Sequence, residues 1–295
     1  MPDPLKIACI GEAMIELSFD GATPCVNFAG DTLNTAIYLR RNLGIKHAVS
    51  YVTTVGVDSF SDRLLDFISA EGVGVDAVTR HPSLIPGLYA IDTAPDGERS
   101  FLYWRENSAA RALFADGFDS LAPFDVIYFS GITLAILPEN IRTAFLSWLD
   151  TSDKIVVFDS NYRPKLWPDV ATAQSAIKAA WLRTNIGLPS VDDEMALFGE
   201  NSEQAVLNRL NSWGLTCGAL KRGAAGPLPL DKGIVISEPY QKAASVIDTT
   251  AAGDSFNGAF LGEFLQNGDI PTALKTGHNC ALEVIGKRGA IVKRR

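Results

Sequence analysis

Histidine and cysteine are scarce in this 295-residue chain, with three of the former and four of the latter. Cys9, Cys25, Cys217 and Cys280 form no C-x-x-C pair, and His47, His81 and His278 are equally scattered. Neither a protein-held zinc ion nor a disulfide framework is expected from such spacing. Long apolar runs are missing too. The opening run, Ile7 to Ile10, is interrupted by Gly11 and Glu12, too soon for a signal-peptide core or a membrane span, so a cytoplasmic protein without membrane contact is expected. Positive charge is thin: 26 basic residues face 34 acidic ones, for a net charge of −8. The nearest thing to a basic cluster is Lys287-Arg288 with Lys293-Arg294-Arg295, which argues against nucleic acid as a partner. No G-x-x-x-x-G-K-[ST] string occurs, which removes a Walker-type phosphate loop. No internal repeat, low-complexity tract or charged linker divides the chain, so one domain over 1–295 is expected.

What the chain does contain is a regular alternation. Short apolar runs at Ile7 to Ile10, Ala48 to Val55, Val126 to Phe129, Ile155 to Phe158 and Thr216 to Leu220 alternate with helical patterns. The helical patterns are Thr32 to Asn42, Ser59 to Glu71, Pro138 to Leu149, Thr172 to Trp181 and Glu203 to Trp213. Such repetition predicts an α/β fold, a mostly parallel sheet covered by helices on both faces. Towards the C-terminus a short β segment at Ile234 to Ile236 precedes two helices, Gly253 to Gln266 and Pro271 to Ile285. Two stretches break the rhythm, Met14 to Phe28 and Leu88 to Trp104. The second carries the turn Ala94-Pro95-Asp96-Gly97, a hairpin signal.

The most informative string is Asp248-Thr249-Thr250-Ala251-Ala252-Gly253-Asp254-Ser255-Phe256. From Gly253 onward Phe256, Ala259, Phe260 and Phe264 recur at helical spacing, so Ala251, Ala252 and Gly253 fall in a first turn. The N–H groups there lack intrahelical acceptors and lie at the positive end of the helix dipole, and small side chains let a phosphate approach them. Asp254 then sits where it could take the proton of an attacking hydroxyl. An ordinary helix start would account for Gly-Asp alone, but not for the whole string.

That string resembles the C-terminal motif of the ribokinase-like, or PfkB-type, carbohydrate kinases, and the resemblance runs over nearly the whole chain. It implies a three-layer α/β/α fold with a small β lid, inserted here at about 12–29 and 86–106. It also implies ATP as phosphoryl donor, Asp254 as catalytic base, and an anion hole formed by the N–H groups of Ala251 to Asp254. Asp254 needs no raised pKa for that role, since a helix start favours the carboxylate and the hydroxyl proton becomes acidic only as its oxygen bonds phosphorus.

Other segments carry the resemblance to the substrate side. Phe28-Ala29-Gly30-Asp31-Thr32-Leu33-Asn34-Thr35-Ala36 opens a helix, with Asp31 and Asn34 on one side of its first turn. Spacing alone leaves a plain N-cap open. The stretch is similar to the family's N-terminal Gly-Gly and Asn motif, with Ala29 for the first glycine. In the form Gly-Asp-Thr-Leu-Asn-Thr it resembles the branch that phosphorylates 2-keto-3-deoxygluconate, with Gly30, Asp31 and Asn34 on the sugar. Tyr103 and Arg105 share one face of an extended segment and Trp104 takes the other. Arginine's two parallel N–H bonds match a carboxylate, although surface arginines are often merely solvated. Pro86-Gly87-Leu88-Tyr89, Gly97-Glu98-Arg99 and Tyr103-Trp104-Arg105 together resemble that branch's lid, which implies substrate contacts for Tyr89, Tyr103 and Arg105. Asp159-Ser160-Asn161-Tyr162-Arg163-Pro164 follows a strand and is similar to the family's Asp-x-Asn-x-Arg-Pro segment, so Arg163 would meet a carboxylate, the γ-phosphate or both. A structural arginine tying two loops is the other account of it. Ile132, in Ser130-Gly131-Ile132-Thr133, would add backbone contacts.

For the nucleotide, Lys221-Arg222-Gly223-Ala224-Ala225-Gly226 resembles the family's glycine loop along the ATP phosphates, and an ordinary turn would use the same residues. Arg288-Gly289-Ala290 resembles the loop bordering adenine. Asn161, Arg163, Lys221, Gly223, Gly226, Ala251, Gly253 and Gly289 form the expected ATP set. Pro189-Ser190-Val191-Asp192-Asp193-Glu194 stands where the family has Asn-x-x-Glu; Val191 replaces the asparagine, Asp193 adds charge, and Glu194 is carried over as the residue serving Mg2+. Most of the ion's coordination would come from ATP and water. A monovalent cation near Asp248 and Thr250 and a homo-oligomer joined through lid strands also follow from the resemblance. The function expected is ATP-dependent phosphorylation of the 6-hydroxyl of 2-keto-3-deoxygluconate. A fructokinase of the same fold and a catalytically silent sugar-binding protein are the competing expectations.

Overall fold

The structure, a computed structural model, describes residues 3–20, 23–93, 99–236 and 239–293. In its first half the chain forms β1 (Lys6–Ile10), β2 (Met14–Asp20), β3 (Thr23–Ala29), α1 (Asp31–Asn42), β4 (Ala48–Val52), β5 (Thr54–Val55), α2 (Ser59–Ala70), β6 (Thr79–Arg80), β7 (Leu88–Thr93) and β8 (Arg99–Trp104). There follow β9 (Val126–Ser130), α3 (Gly131–Ile136), α4 (Glu139–Thr151), β10 (Ile155–Asp159), α5 (Val170–Trp181), β11 (Ile186–Gly187), α6 (Val191–Phe198) and α7 (Glu203–Ser212). The last elements are β12 (Ala219–Leu220), β13 (Leu228–Pro229), α8 (Ala252–Asn267) and α9 (Ile270–Ile285).

The apolar runs build an inner sheet of order β11-β10-β9-β1-β4, parallel throughout. Successive side chains of a strand point to opposite faces, and both faces here are apolar. Ala8, Ile10, Ile127, Phe129, Val156 and Phe158 pack into one core with residues of α3, α4, α5, α6 and α7. Ile7, Cys9, Val126, Tyr128 and Val157 pack into a second core with residues of α1, α2, α8 and α9. Two cores separated by one sheet make the three-layer α/β/α arrangement expected. Phe158 and Trp181, both fully buried, meet edge to face with ring centroids 4.6 Å apart. Each buried aromatic of this kind contributes on the order of 2–3 kcal/mol by leaving water.

The lid is a separate four-stranded sheet of order β3-β2-β7-β8. Its two hairpins are antiparallel and meet along a parallel β2–β7 seam, with Glu16 opposite Tyr89 and Tyr89 opposite Tyr103. The turn expected at Ala94-Pro95-Asp96-Gly97 lies outside the described residues.

Three sequence expectations are corrected. The Ala48 to Val55 run divides into β4 and β5, with β5 pairing β6 instead of joining the central sheet. Thr216 to Leu220 contracts to β12, which reaches the sheet only by single bridges such as Gly187 with Gly218. Ile234 to Ile236 is not a strand. Ile234 and Ile236 keep the inward side of an alternation and Val235 faces solvent, but β12 is already paired by β13, so no ladder forms there.

Close contact between α1 and α8 positions the site. A Cβ at Gly258 would lie 2.6 Å from the backbone of Thr35 and Leu39, and one at Gly262 would lie 2.7 Å from Asn42. Only glycine at these two positions, one turn apart, lets the helices touch backbone to backbone. The start of α8 is thereby held against the start of α1.

Candidate active site

Open parallel sheets place ligands beyond the carboxyl ends of their strands, and the polar residues gather there. Gly30, extended and without a side-chain cap bond, precedes α1; Asp31 is the first helical residue. A Cβ on Gly30 would collide with the carbonyl of Glu12 at 2.2 Å. Asp31 is turned away from the helix start, whereas Asn34 serves both ends: its Oδ1 accepts the Gly30 N–H at 3.5 Å while its amide nitrogen points into the site. The Asp31 carboxylate accepts bonds from Ser130 Oγ at 2.5 Å and from Asn161 Nδ2 at 2.8 Å. Asn34 Nδ2 donates to Asp254 Oδ2 at 2.8 Å, across 220 residues of sequence. Ile132 lies in the first turn of α3, half-buried beside this group.

The start of α8 departs from expectation in two ways. Ala251 is not helical: it sits at φ 61° in the left-handed region, and the helix begins at Ala252. Ala252 N–H is turned back to the Thr249 carbonyl at 3.2 Å, while Ser255 N–H bonds Ala251 O at 2.8 Å. Among the described residues no acceptor within the protein takes the N–H groups of Gly253 and Asp254. The anion hole expected from Ala251 to Asp254 thus narrows to those two donors. Asp254 itself is pushed up from 3.8 to about 7, chiefly by burial and by the Asp31 charge beside it, with the Asn34 bond and Lys221 working the other way. Removal from water thus outweighs the pull of the helix start towards the carboxylate.

Beneath this mouth lies a polar group of which the sequence singled out only Lys221. Lys221 Nζ bonds Asp159 Oδ2 at 2.6 Å and Asn257 Oδ1 at 3.1 Å, and Asn257 Nδ2 returns bonds to Asp159 Oδ2 at 2.6 Å and to Tyr128 Oη at 3.2 Å. Gly223 and Gly226, at φ 53° and 77°, shape the turn that follows Lys221. Gly289 donates its N–H to Asp248 Oδ2 at 2.8 Å, and Thr250 N–H takes Asp248 Oδ1 at 3.0 Å. Asp248 thereby ties the final loop to the motif string. A cavity of about 240 Å³ lies between the 241–244 segment and Asn279, Leu282 and Glu283 of α9.

Asn161, expected among the ATP residues, donates its Nδ2–H to the half-buried Asp31 carboxylate. One placement is corrected. Glu194, expected to serve the metal, is fully buried and spent on Trp181 Nε1 at 3.2 Å and Arg209 Nη2 at 2.8 Å. Its neighbour Asp193 faces the site, bonded by Arg163 Nη1 at 3.2 Å. Burial raises the Asp193 carboxyl, Arg163 and Lys221 lower it, and Asp159 raises it, so these charges are neighbours.

On the lid, Tyr89 is buried and its hydroxyl donates to Glu16, so that group is already engaged. Tyr103 is half exposed and stacks its ring near Tyr89, 5.8 Å between centroids. Arg105 lies just beyond β8, buried, paired with Glu12, its guanidinium carbon 5.9 Å from the Tyr103 ring centre. Arg105 is therefore not a solvated surface arginine. Burial raises the Tyr103 hydroxyl, Arg105 and Arg163 lower it and Asp31 raises it, so these charges are neighbours of Tyr103.

A half-buried base beside two free helix-start N–H groups, under a β lid, matches a described family. The model of the pfkB family carbohydrate kinases fits residues 4–294. The chain belongs to this family. The 2-dehydro-3-deoxygluconokinase of Haemophilus influenzae is 41% identical to it, over 97% of this chain and 95% of that protein. Among solved structures, the 2-dehydro-3-deoxygluconokinase of Thermotoga maritima superposes with TM-score 0.83 at 20% identity, covering 98% of this chain and 95% of that one. The fructokinase of Xylella fastidiosa with bound ATP gives 0.82 at 22% identity, covering 97% and 93%. The fold is thus the ribokinase-like fold of pfkB kinases. Fold likeness alone does not separate sugar acid from fructose, because both neighbours share it equally.

Proposed function

We propose that the protein is a 2-dehydro-3-deoxygluconokinase, transferring the γ-phosphoryl group of ATP to the 6-hydroxyl of 2-keto-3-deoxygluconate. The observation that carries the chemistry is the Asn34–Asp254 contact at the uncapped start of α8. The choice of acceptor rests on the 41% identity along almost the whole chain and on two arginines at the lid rim. Asp254 takes the hydroxyl proton as the acceptor oxygen bonds phosphorus; the bond from phosphorus to the bridging oxygen breaks, and ADP leaves with that electron pair. The N–H groups of Gly253 and Asp254 receive the transferring oxygens. Asn34 orients Asp254, and Asp31, held by Ser130 and Asn161, takes sugar hydroxyls. Tyr103 with Arg105 and Arg163 receives the carboxylate, and Tyr89 with Glu16 forms the floor of the lid. The glycine turn at Gly223 and Gly226 follows the phosphates, and the cavity beside α9 holds the nucleoside.

Magnesium fits the donor set, since Asp193 offers a hard oxygen ligand near Lys221 and Arg163. Most of the ion's oxygens would come from ATP and water, as its octahedral preference and slow dehydration suggest. When bound, the ion neutralises phosphate charge. Among the described residues no helix is long and apolar enough to cross a membrane. The exposed Val26, Leu102 and Trp104 on the outer lid face suit pairing of two copies, and a cytoplasmic location suits the reduced cysteines.

The test is direct. Purified protein is incubated with ATP, magnesium and 2-keto-3-deoxygluconate, and the product is followed by phosphorus NMR. A phosphomonoester on the terminal carbon is expected. Phosphate transfer to fructose alone would replace the acceptor, and ATP binding with no transfer to any sugar would remove the enzyme.

A further inference from the structure

Lys221 follows β12 with its backbone pinned on both sides: its N–H bonds Pro189 O at 2.8 Å and its carbonyl accepts Val191 N–H at 2.9 Å. Its side chain is largely buried, and two of its three ammonium protons are committed, one to Asp159 Oδ2 and one to Asn257 Oδ1. Among the described residues no acceptor takes the third. A Cβ placed on Gly253 would lie 3.7 Å from Nζ, so the ammonium stands over the first turn of α8, beside the N–H groups that have no acceptor. Asp159 and Asn257 are themselves almost wholly buried and bonded to one another, and Asn257 is fixed again by Tyr128.

A surface turn lysine following ATP phosphates would need none of this. A lysine side chain carries much rotamer freedom, and here two buried polar groups, Asp159 and Asn257, remove it. Burying a carboxylate is costly unless it is paired, so Asp159 and Lys221 hold each other in place. The arrangement delivers a fixed positive charge to one point, the mouth of the anion hole.

We infer that Lys221 is a catalytic cation for the transferring phosphoryl group, and that Asp159 and Asn257, which do not touch substrate, are positioning residues that aim it. The inference rests on the phosphoryl-transfer reading above. Charge on the equatorial oxygens changes as the group passes between the two oxygens, and a preorganised donor there acts on the transition state more than on bound ATP. Lys221 exchanges no proton in the step. Its conversion to an uncharged residue slows chemistry, and the sugar acid still binds.

The experiment compares the unmodified protein with Lys221→Met, Lys221→Arg, Asn257→Ala and the pairs Lys221→Met with Asn257→Ala and Lys221→Met with Asp159→Asn. The last pair removes both charges, so it folds without an unpaired buried carboxylate. Lys221→Met is expected to lower kcat by roughly 10²–10³-fold, the range for one lost oxyanion donor, with the sugar-acid KM within about threefold. Lys221→Arg recovers part of the rate. Asn257→Ala lowers kcat in the unmodified background but adds less than about threefold in the Lys221→Met background, because residues acting as a unit are not additive. Affinity for ADP with aluminium fluoride and magnesium, read by calorimetry, falls with kcat while ATP affinity changes far less. Lys221→Met within threefold of normal kcat, independent multiplying losses in the Asn257 pair, or full activity in the Asp159 pair would each overturn the inference. Absence of transfer in the unmodified protein falls on the proposed function instead, and the aluminium fluoride affinity still reads Lys221 by itself.

Discussion

Replacing Asp254 by Asn separates chemistry from folding in one variant. The amide keeps an oxygen that can accept the Asn34 Nδ2 bond, now at 2.8 Å, so the start of α8 stays in place. What is lost is the basic oxygen. Turnover is expected to fall by roughly 10²–10⁴-fold, the range for a missing general base, with sugar-acid binding within a few-fold. Stability moves the other way. The Asp254 carboxyl is raised from 3.8 to about 7, so the folded protein binds the proton more tightly than the unfolded chain. Such a group weakens the fold as pH climbs from the unfolded value through the folded one. A rise of that size would be worth roughly 4 kcal/mol above pH 7 for a fully enclosed group. Asp254 is half-buried, so screening by water reduces the expected gain on substitution to about 1–2 kcal/mol. Melting at pH 8 should then rise by roughly 2–6 °C in Asp254→Asn, the usual conversion for a chain of this size, and the difference should shrink to nothing near pH 4. Thermal scans at several pH values together with a coupled ATP assay measure both. Near-normal turnover would remove Asp254 as the base, and equal melting at pH 8 would remove the argument from burial.

Other expectations follow from the same geometry. Because the base must be ionised, kcat/KM should fall as pH drops through about 7, and a pH–rate profile flat from 6 to 8 would contradict the raised Asp254. Arg209→Met strips the partner from the fully buried Glu194 and the cation from the Phe198 and Trp213 rings, so urea unfolding should show a loss of about 3–5 kcal/mol. Asp193→Asn should weaken magnesium–ATP about tenfold in a KM titration, the scale of one carboxylate at a metal or phosphate site, whereas Glu194→Gln should leave that KM within twofold. Ala251→Gly relieves a left-handed backbone that suits glycine and should stabilise the fold by about 0.5–1 kcal/mol in chemical denaturation without loss of activity.

The sequence disclosed most where a local pattern and a tertiary role coincide. The parallel sheet was legible because strands buried on both faces read as unbroken apolar runs, and the start of α8 was legible because small residues before an aspartate have few other uses. Glu194 was misplaced for the opposite reason. Two adjacent acids, Asp193 and Glu194, look alike along the chain, and which one turns inward depends on Arg209 and Trp181, contributed by α7 and α5. The raised Asp254 was illegible too, since burial and the Asp31 charge come from packing α1 on α8, which Gly258 and Gly262 permit and no string announces. Asp159 and Asn257 left a faint signal. Asp159 opens the string that ends in Arg163-Pro164, and Asn257 lies three residues after Asp254 on the same helix, yet only the fold brings Lys221 between them.

The phosphate cradle is common to the family; the acceptor distinguishes this chain within it. The measurement that bears on both is kcat/KM for 2-keto-3-deoxygluconate against fructose under identical ATP and magnesium, repeated with Arg105→Ala. A paired guanidinium at the lid rim should favour the carboxylate substrate by at least roughly 10²-fold, and Arg105→Ala should erase most of that preference, since a lost charged bond is worth about 1.5–3 kcal/mol. Equal efficiency on the two sugars, or a preference untouched by Arg105→Ala, would contradict the assignment.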